Sequence, residues 1–540
     1  MAIPETSAHE TTDGRPGRPA LVGLYLVFFA IALMPVFAFE VLPLGDMLNH
    51  LTRAYIINTL DSSPDLQKYY AVHWALFSFQ STDLLLPPLA RWFGLATSQH
   101  LFVAITFGLL LSGTAALHRA LFGRIGPWPA AAVLFLYSFP LALGQISFLF
   151  STGLSLLLLA GWIAYRDRLD TRRLMVFVLV SFALFLSHFF AFAAYALTVA
   201  SYELGRLREE PTLARKLRRL IAVGLPLTAP AICFVLQFGG TIKGNTFYGE
   251  ILAKAVAVLS PTLTYGTWSD ILLTIAIGAA LWILERKKLL SFAKTMRVPA
   301  IVLILTAIAM PRLLSGVLGA DLRLPCLLAF LLVGSSELAL PRRRAVAIFA
   351  AGLGALLVFR VASIFEQWRH FDADYREFRA VDDKIERGSR LVVIPFEKDF
   401  RSHPQPLLPY WFVTAFAVID RDVFMPLLYT FATPLQLAGE GTEIVSGTLA
   451  RARKVEWHPA DPAFATADAA TLAQTSAVGQ RISDVDVYTS TIDWSDWPER
   501  FDYAVDLHFG RAGNPVPALL TEVWRGSYFT IYRIHPPGRS

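Results

Sequence analysis

Charge and cysteine are both scarce in this chain. Of 540 residues only 17% are charged, and two are cysteines. Soluble domains carry about 25% charged residues, so the shortfall excludes an ordinary soluble composition. Cys233 and Cys326 both sit inside apolar stretches. That argues against a disulfide framework or a cysteine metal site and makes them buried small hydrophobes. Fixed-period repeats, a metal-spaced histidine pair, a P-loop and a nucleophile elbow are all absent from the sequence. The net charge of +6 is not a nucleic-acid signature, because most basic residues fall in short loops between apolar runs. Apolar residues are what the chain has in abundance, 55% of the total with a mean hydropathy of +0.49. The bilayer is therefore the expected partner, and no nucleic acid is.

Residues 1–19 are polar and expected to be a disordered cytoplasmic N-terminus. The run Ala20–Ala38 is long enough to span a bilayer and lacks a following small-residue cleavage site, so it reads as a retained helix. Further runs follow at Gln99–Leu117, Pro129–Leu143, Phe148–Ala164, Leu174–Ser201, Ile221–Phe238, Asp270–Leu284, Val298–Met310, Cys326–Leu338 and Ala345–Ile364. Leu174–Ser201 is longer than one span needs and is basic on both flanks. That implies a hairpin of two short helices turning near Ser187 and His188. Asp83–Phe93 is interrupted by Pro87 and Pro88 and reads as re-entrant or interfacial. The expected transmembrane domain, residues 20–364, thus holds about eleven helices, with outer loops 41–82 and 239–269.

Every strongly basic loop then falls on the cytoplasmic side of an inner membrane. The outer face receives the first loop, Gln145, His188, the second loop, Pro311–Leu324 and the tail. Residues 365–540 read as a small α/β extracytoplasmic domain. Ser389–Phe396, Phe501–Phe509 and Ser527–Ile534 are its strands by β-branched and aromatic content, and Asp374–Arg387 is a charged helix. The fold class is a polytopic α-helical membrane protein with that C-terminal domain.

The outer face is where polar residues gather. In the stretch "PLGDMLNHLTRAY" (Pro43–Tyr55), Asp46, Asn49, His50 and Arg53 fall on one face of a helix. The apolar residues fall on another. Such a helix is expected to lie in the membrane interface, apolar side down, with its polar side lining a cavity. Two readings of Asp46 stand together. As an N-cap it accepts N–H groups of the first turn. As a general base it takes a proton from a sugar hydroxyl attacking an anomeric carbon, with arginines neutralising a phosphate leaving group.

Other outer candidates carry paired readings too. His188 is either a satisfied helix-end histidine or a hydrogen-bond partner of substrate or Asp46. Arg312, Asp321 and Arg323, in "MPRLLSGVLGADLRLP", form either an ion pair holding a loop or a phosphate clamp with Asp321 orienting one arginine. Lys243 and Tyr248, in "TIKGNTFYGE", are candidates for contact with sugar or phosphate, and an interfacial aromatic belt explains the tyrosine as well.

A first helix, an acid at the head of an outward-lying helix, many spans and an extracytoplasmic tail together resemble the GT-C class of membrane glycosyltransferases. The segments "NHLTRAY" and "DLLLPPLARW" (Asp83–Trp92) are similar to those of uncharacterised bacterial members. The resemblance implies an inverting enzyme with a polyprenyl-phosphate-linked sugar donor, a lipid, glycan or protein acceptor, and the catalytic acid at Asp46. Many members carry a second acid beside or two residues after the first. Here Met47 and Leu48 follow, so no cofactor is implied and a divalent metal lacks its second adjacent ligand. The alternatives are a lipid-linked sugar transporter or flippase, which wants charged or broken helices at mid-membrane, and a catalytically silent scaffold.

Overall fold

The computed structural model describes residues 18–74, 81–238, 246–249, 251–314, 317–340, 342–394, 405–426, 428, 435–438, 497–508 and 517–535. Helices dominate because an apolar chain in lipid must satisfy its own backbone groups. In chain order they are α1 (Arg18–Ala38), α2 (Met47–Thr59), α3 (Pro64–Gln67), α4 (Ser81–Phe93), α5 (Leu95–Phe122), α6 (Phe139–Ala142), α7 (Ile146–Tyr165), α8 (Thr171–Ser187), α9 (Phe189–Arg206), α10 (Leu213–Phe238), α11 (Ile251–Val258), α12 (Trp268–Arg286), α13 (Arg297–Ala309), α14 (Ala320–Gly334) and α15 (Arg343–Arg379). Six of the described helices, α1, α5, α7, α10, α12 and α15, are long and apolar enough to cross a membrane. Leu26, Leu179, Leu236, Ile275 and Leu305 point outward from this bundle, as lipid-facing side chains do.

The other apolar runs form shorter elements. Helices α8, α9, α13 and α14 have 17, 18, 13 and 15 residues. Pro129–Leu143 is not one helix but a 3-10 segment, Trp128–Phe135, followed by α6. Pro140 lacks an N–H, which keeps the first segment from running on as a regular helix. The densest crossing joins α5 to α7. There a Cβ on Gly113 would lie 2.7 Å from the Gly153 carbonyl oxygen, so two glycines let the backbones touch.

The expected hairpin is present. His188 breaks the helix with an extended backbone, φ −166° and ψ 119°. Arg166, just ahead of α8, reaches Glu203 near the end of α9 at 3.0 Å. The two far ends of the hairpin are therefore side by side.

Helix α15 differs from expectation. It runs 37 residues, through the expected domain boundary at residue 365 and on to Arg379. The C-terminal sheet is seated on this extension. Its strands are β6 (Leu391–Ile394), β8 (Tyr503–Leu507), β9 (Leu520–Arg525) and β10 (Phe529–Ile534), in the order β6-β8-β10-β9. Strands β6 and β8 run parallel and the other pairs antiparallel. The hydroxyl of Tyr528 donates to the Asp374 carbonyl at 2.9 Å, and Phe378 packs against Phe529. Short strand pairs tie the loops: β1 (Tyr70–Val72) with β7 (Leu435–Leu437), β2 (Leu290–Phe292) with β5 (Ser336–Leu338), and β3 (Leu313–Leu314) with β4 (Val317–Leu318).

Candidate active site

The segment that follows α1 is fixed before it reaches Asp46. Gln99, in the first turns of α5, accepts the Leu42 N–H at 3.0 Å and donates to the Glu40 carbonyl at 2.9 Å. The Tyr265 hydroxyl donates to the Pro43 carbonyl at 2.8 Å and accepts from Trp368 Nε1 at 2.9 Å. The backbone N–H groups of Gly45 and Asp46 then donate to the carbonyls of Ala142 and Leu143 at 2.8 and 3.0 Å. Gly144 makes this docking feasible. It has φ +81°, and a Cβ there would sit 2.3 Å from the Asp46 nitrogen.

Asp46 holds the N-cap position of α2, but its side chain makes no capping hydrogen bond. The expected side-chain cap is thus absent, and Asp46 itself is half-buried. The polar side of α2 is covered rather than open. Its polar residues Asn49, His50, Thr52 and Arg53 are as buried as Leu48 and Leu51. The C-terminal region covers one side: Tyr55 and Ser63 donate to the Asp422 carboxylate at 2.7 and 3.1 Å, and Tyr70 donates to the Met425 carbonyl at 3.1 Å. On the other side Arg53 is ion-paired with Asp83 of α4, both buried. Arg53 is therefore occupied by a partner inside the fold and does not present its guanidinium to an outer cavity. His50 is held neutral, its pKa pushed down to about 3 by burial and then by Arg53.

The same 143–145 turn carries the second half of the site. Gly319, at the head of α14, lies against it: a Cβ there would be 3.1 Å from Gln145 Nε2 and 3.6 Å from Leu143 Cδ1. The next residues are Asp321 and Arg323. The Asp321 carboxylate is 1% exposed and accepts no hydrogen bond from the described residues. Two cations flank it at longer range, Arg312 Nη1 at 3.6 Å and Lys254 Nζ at 3.7 Å. Lys254 donates to the Met310 carbonyl, and Arg312 Nη1 reaches the Ala253 carbonyl at 3.4 Å. A buried carboxylate costs free energy unless cations and donors complete its shell. Here the cations stand close, and the hydrogen bonds are not made.

Arg323 belongs to a different group from Asp321. Its guanidinium stacks 4.7 Å over the Phe190 ring, beside His188, whose own ring lies 5.5 Å from Phe148. The structure thus brings His188 to Arg323, and Asp321 to Arg312. The loop-holding pair between Asp321 and Arg312 is real but long. Tyr248 is exposed, one residue before Gly249, which packs on the Arg312 side chain. Lys243 lies outside the described residues.

Two charged positions escape a reading of the sequence. Lys254 is the one charged residue of the apolar octet "ILAKAVAV" of α11, within the expected second outer loop. Arg360 stands within the apolar run Ala345–Ile364. It is ion-paired with buried Asp270 and donates to the carbonyls of Tyr137 and Thr262 at 2.6 and 2.9 Å. Asp270 also accepts the N–H groups of Thr264 and Gly266 at 3.0 and 3.1 Å. The hub fixes the 262–267 turn and so the Tyr265 that holds Pro43.

No family model matches the chain, and no curated protein matches it. Among solved structures it is similar to the crystal structure of ArnT from Cupriavidus metallidurans in the apo state, at 14% identity and a TM-score of 0.42, over 95% of this chain and 98% of that one. It is similar as well to the crystal structure of ArnT from Cupriavidus metallidurans bound to undecaprenyl phosphate, at 12% identity and a TM-score of 0.43, over 95% of this chain and 97% of that one.

Proposed function

We propose that the protein is an inverting membrane glycosyltransferase that moves a sugar from a polyprenyl-phosphate-linked donor to an acceptor hydroxyl. The observation that carries this reading is the shared 143–145 turn, which docks the Asp46 backbone on one side and Gly319, leading to Asp321 and Arg323, on the other. Asp46 takes the proton of the acceptor hydroxyl as its oxygen bonds to the anomeric carbon. The bond from that carbon to the phosphate oxygen breaks, and the polyprenyl phosphate leaves with the electron pair. Arg312, Lys254 and Arg323 balance the leaving charge, and Asp321 orients the first two. His188 orients the donor beside Arg323, and exposed Tyr248 offers a ring face to a sugar. The mechanism calls on no metal, since Met47 and Leu48 stand where a second acid would follow Asp46.

In this reading the basic ends of the bundle, with residues 1–19, face the cytoplasm. Residues 20–364 hold the lipid, and residues 365–540 lie outside the membrane over the acceptor side. The acceptor is a lipid, a glycan or a protein.

Purified protein incubated with a panel of polyprenyl-phosphate sugars tests the proposal. Transfer is expected with inversion at the anomeric carbon, and Asp46→Asn is expected to lower it by about 10²–10⁴-fold, the usual span for a lost general base. Transfer that survives Asp46→Asn removes the assigned base. No transfer from any donor in the panel removes the activity.

A further inference from the structure

We infer that the corner where α7, α8, α9 and α10 meet binds the headgroups of anionic phospholipids. Between Arg166 and Arg219 the sequence has ten basic and five acidic side chains, most of the chain's net charge of +6. Every one of those acids is engaged. Glu203 accepts from Arg166 at 3.0 Å and from Trp162 Nε1 at 2.9 Å. Asp167 joins Arg166 and Arg219 at 2.8 and 3.3 Å, and Glu210 lies 3.4 Å from Arg219. Asp170 holds Arg173 at 3.2 Å while its side chain caps α8, and Glu209 holds Arg206 at 2.7 Å. This network ties the four helix ends together. It leaves Arg168, Arg172, Arg208, Arg215, Lys216 and Arg218 with no carboxylate at ion-pair distance among the described residues, the five arginines exposed.

The depth of these cations identifies the partner. Arg173 stands 5.5 Å over the ring of Tyr165, an exposed aromatic at the end of α7, as interfacial aromatics stand at headgroup level. Immediately beyond lie exposed Met175, Val176 and Leu179 on α8 and exposed Leu213, Leu217 and Ile221 on α10. A soluble acidic partner reaches the cations but makes no contact with those lipid-facing aliphatic side chains. A phospholipid of negative headgroup satisfies both at once, phosphate on guanidinium and acyl chain on leucine.

Native mass spectrometry of the intact protein in neutral detergent, titrated with phosphatidylglycerol or phosphatidylcholine, tests this. Phosphatidylglycerol is expected to bind at least five-fold more tightly. The preference is expected to vanish in the combined variant Arg172→Gln, Arg208→Gln, Arg215→Gln, Arg218→Gln. It is expected to persist when the exposed Arg342, Arg343 and Arg344 are all changed to Gln. Should the first variant fail to fold, wild-type protein in 1 M salt gives the same reading, because screening at that strength removes exposed electrostatics. Equal binding of the two lipids, a preference that survives both substitution and salt, or its loss only in the Arg342–Arg344 variant overturns the assignment.

Discussion

Arg53 and Asp83 show how a residue changes meaning between sequence and structure. On a helical wheel Arg53 shares the face of Asp46, and nothing within that stretch reveals that a carboxylate thirty residues on will claim it. The two are both buried and ion-paired. Removing one partner strands a charge, which costs about 3–5 kcal/mol, while replacing both with apolar residues of similar size is close to neutral. Arg53→Met and Asp83→Leu are each expected to lower stability in detergent sharply, and the double variant is expected to recover most of the loss. A double variant no better than the singles would mean that the pair does more than satisfy itself. Lys254 was hidden for the same reason. The carboxylate it neighbours, Asp321, lies on another helix. The place of Asp46 at the head of α2 was legible because it follows directly from the end of the first span.

At the scale of elements, apolar runs alternating with basic loops located the long helices, while Pro129–Leu143 proved to be a 3-10 segment and a short helix. Positive flanks were enough to fold Leu174–Ser201 back on itself at His188. Strands β6, β8 and β10 announce themselves because they are buried, and buried strands are rich in β-branched and aromatic residues. Strand β9 does not, since all but its first residue are exposed at the sheet edge. The reach of α15 was hidden by the change from apolar to charged residues near residue 365. The helix continues there because the C-terminal sheet, not lipid, covers it. The 139–145 turn is the least legible element and the one on which the site depends. Gly144→Ala places a Cβ against the Asp46 nitrogen at a φ of +81°. It is expected to displace Asp46 and reduce transfer by about 100-fold, as misplacement by an ångström does. Gly224→Ala, where nothing lies within 4 Å, is the matched control and should leave transfer unchanged.

Across the whole molecule, a charged seam helps to join the C-terminal region to the membrane bundle. Arg379 at the end of α15 donates to Asp420 at 3.0 and 3.2 Å and to Glu40, just after α1, at 2.9 Å. Asp382 lies beside Asp420, and burial followed by that neighbour pushes its carboxyl up to about 7. A carboxyl raised in the folded state contributes stability that is complete below the ordinary value near 4 and is lost as pH rises through 7. Wild-type protein is therefore expected to lose thermal stability between about pH 4 and 7 relative to Asp382→Asn. Parallel melting curves for the two would rule out the raised carboxyl. The transporter alternative asks for charges at mid-membrane that change partners. The buried Asp270–Arg360 pair is instead anchored by backbone carbonyls and N–H groups.

Binding and chemistry should separate along the two halves of the site, and a polyprenyl phosphate binding isotherm set beside the transfer rate measures both. Arg312→Gln is expected to weaken binding of the lipid phosphate about 10-fold or more, whereas Asp46→Asn should bind it as wild type does and fail only in transfer. If Asp46→Asn loses binding in step with transfer, or if Arg312→Gln binds normally, then the acid and the cations gathered at the 143–145 turn do not form one catalytic site.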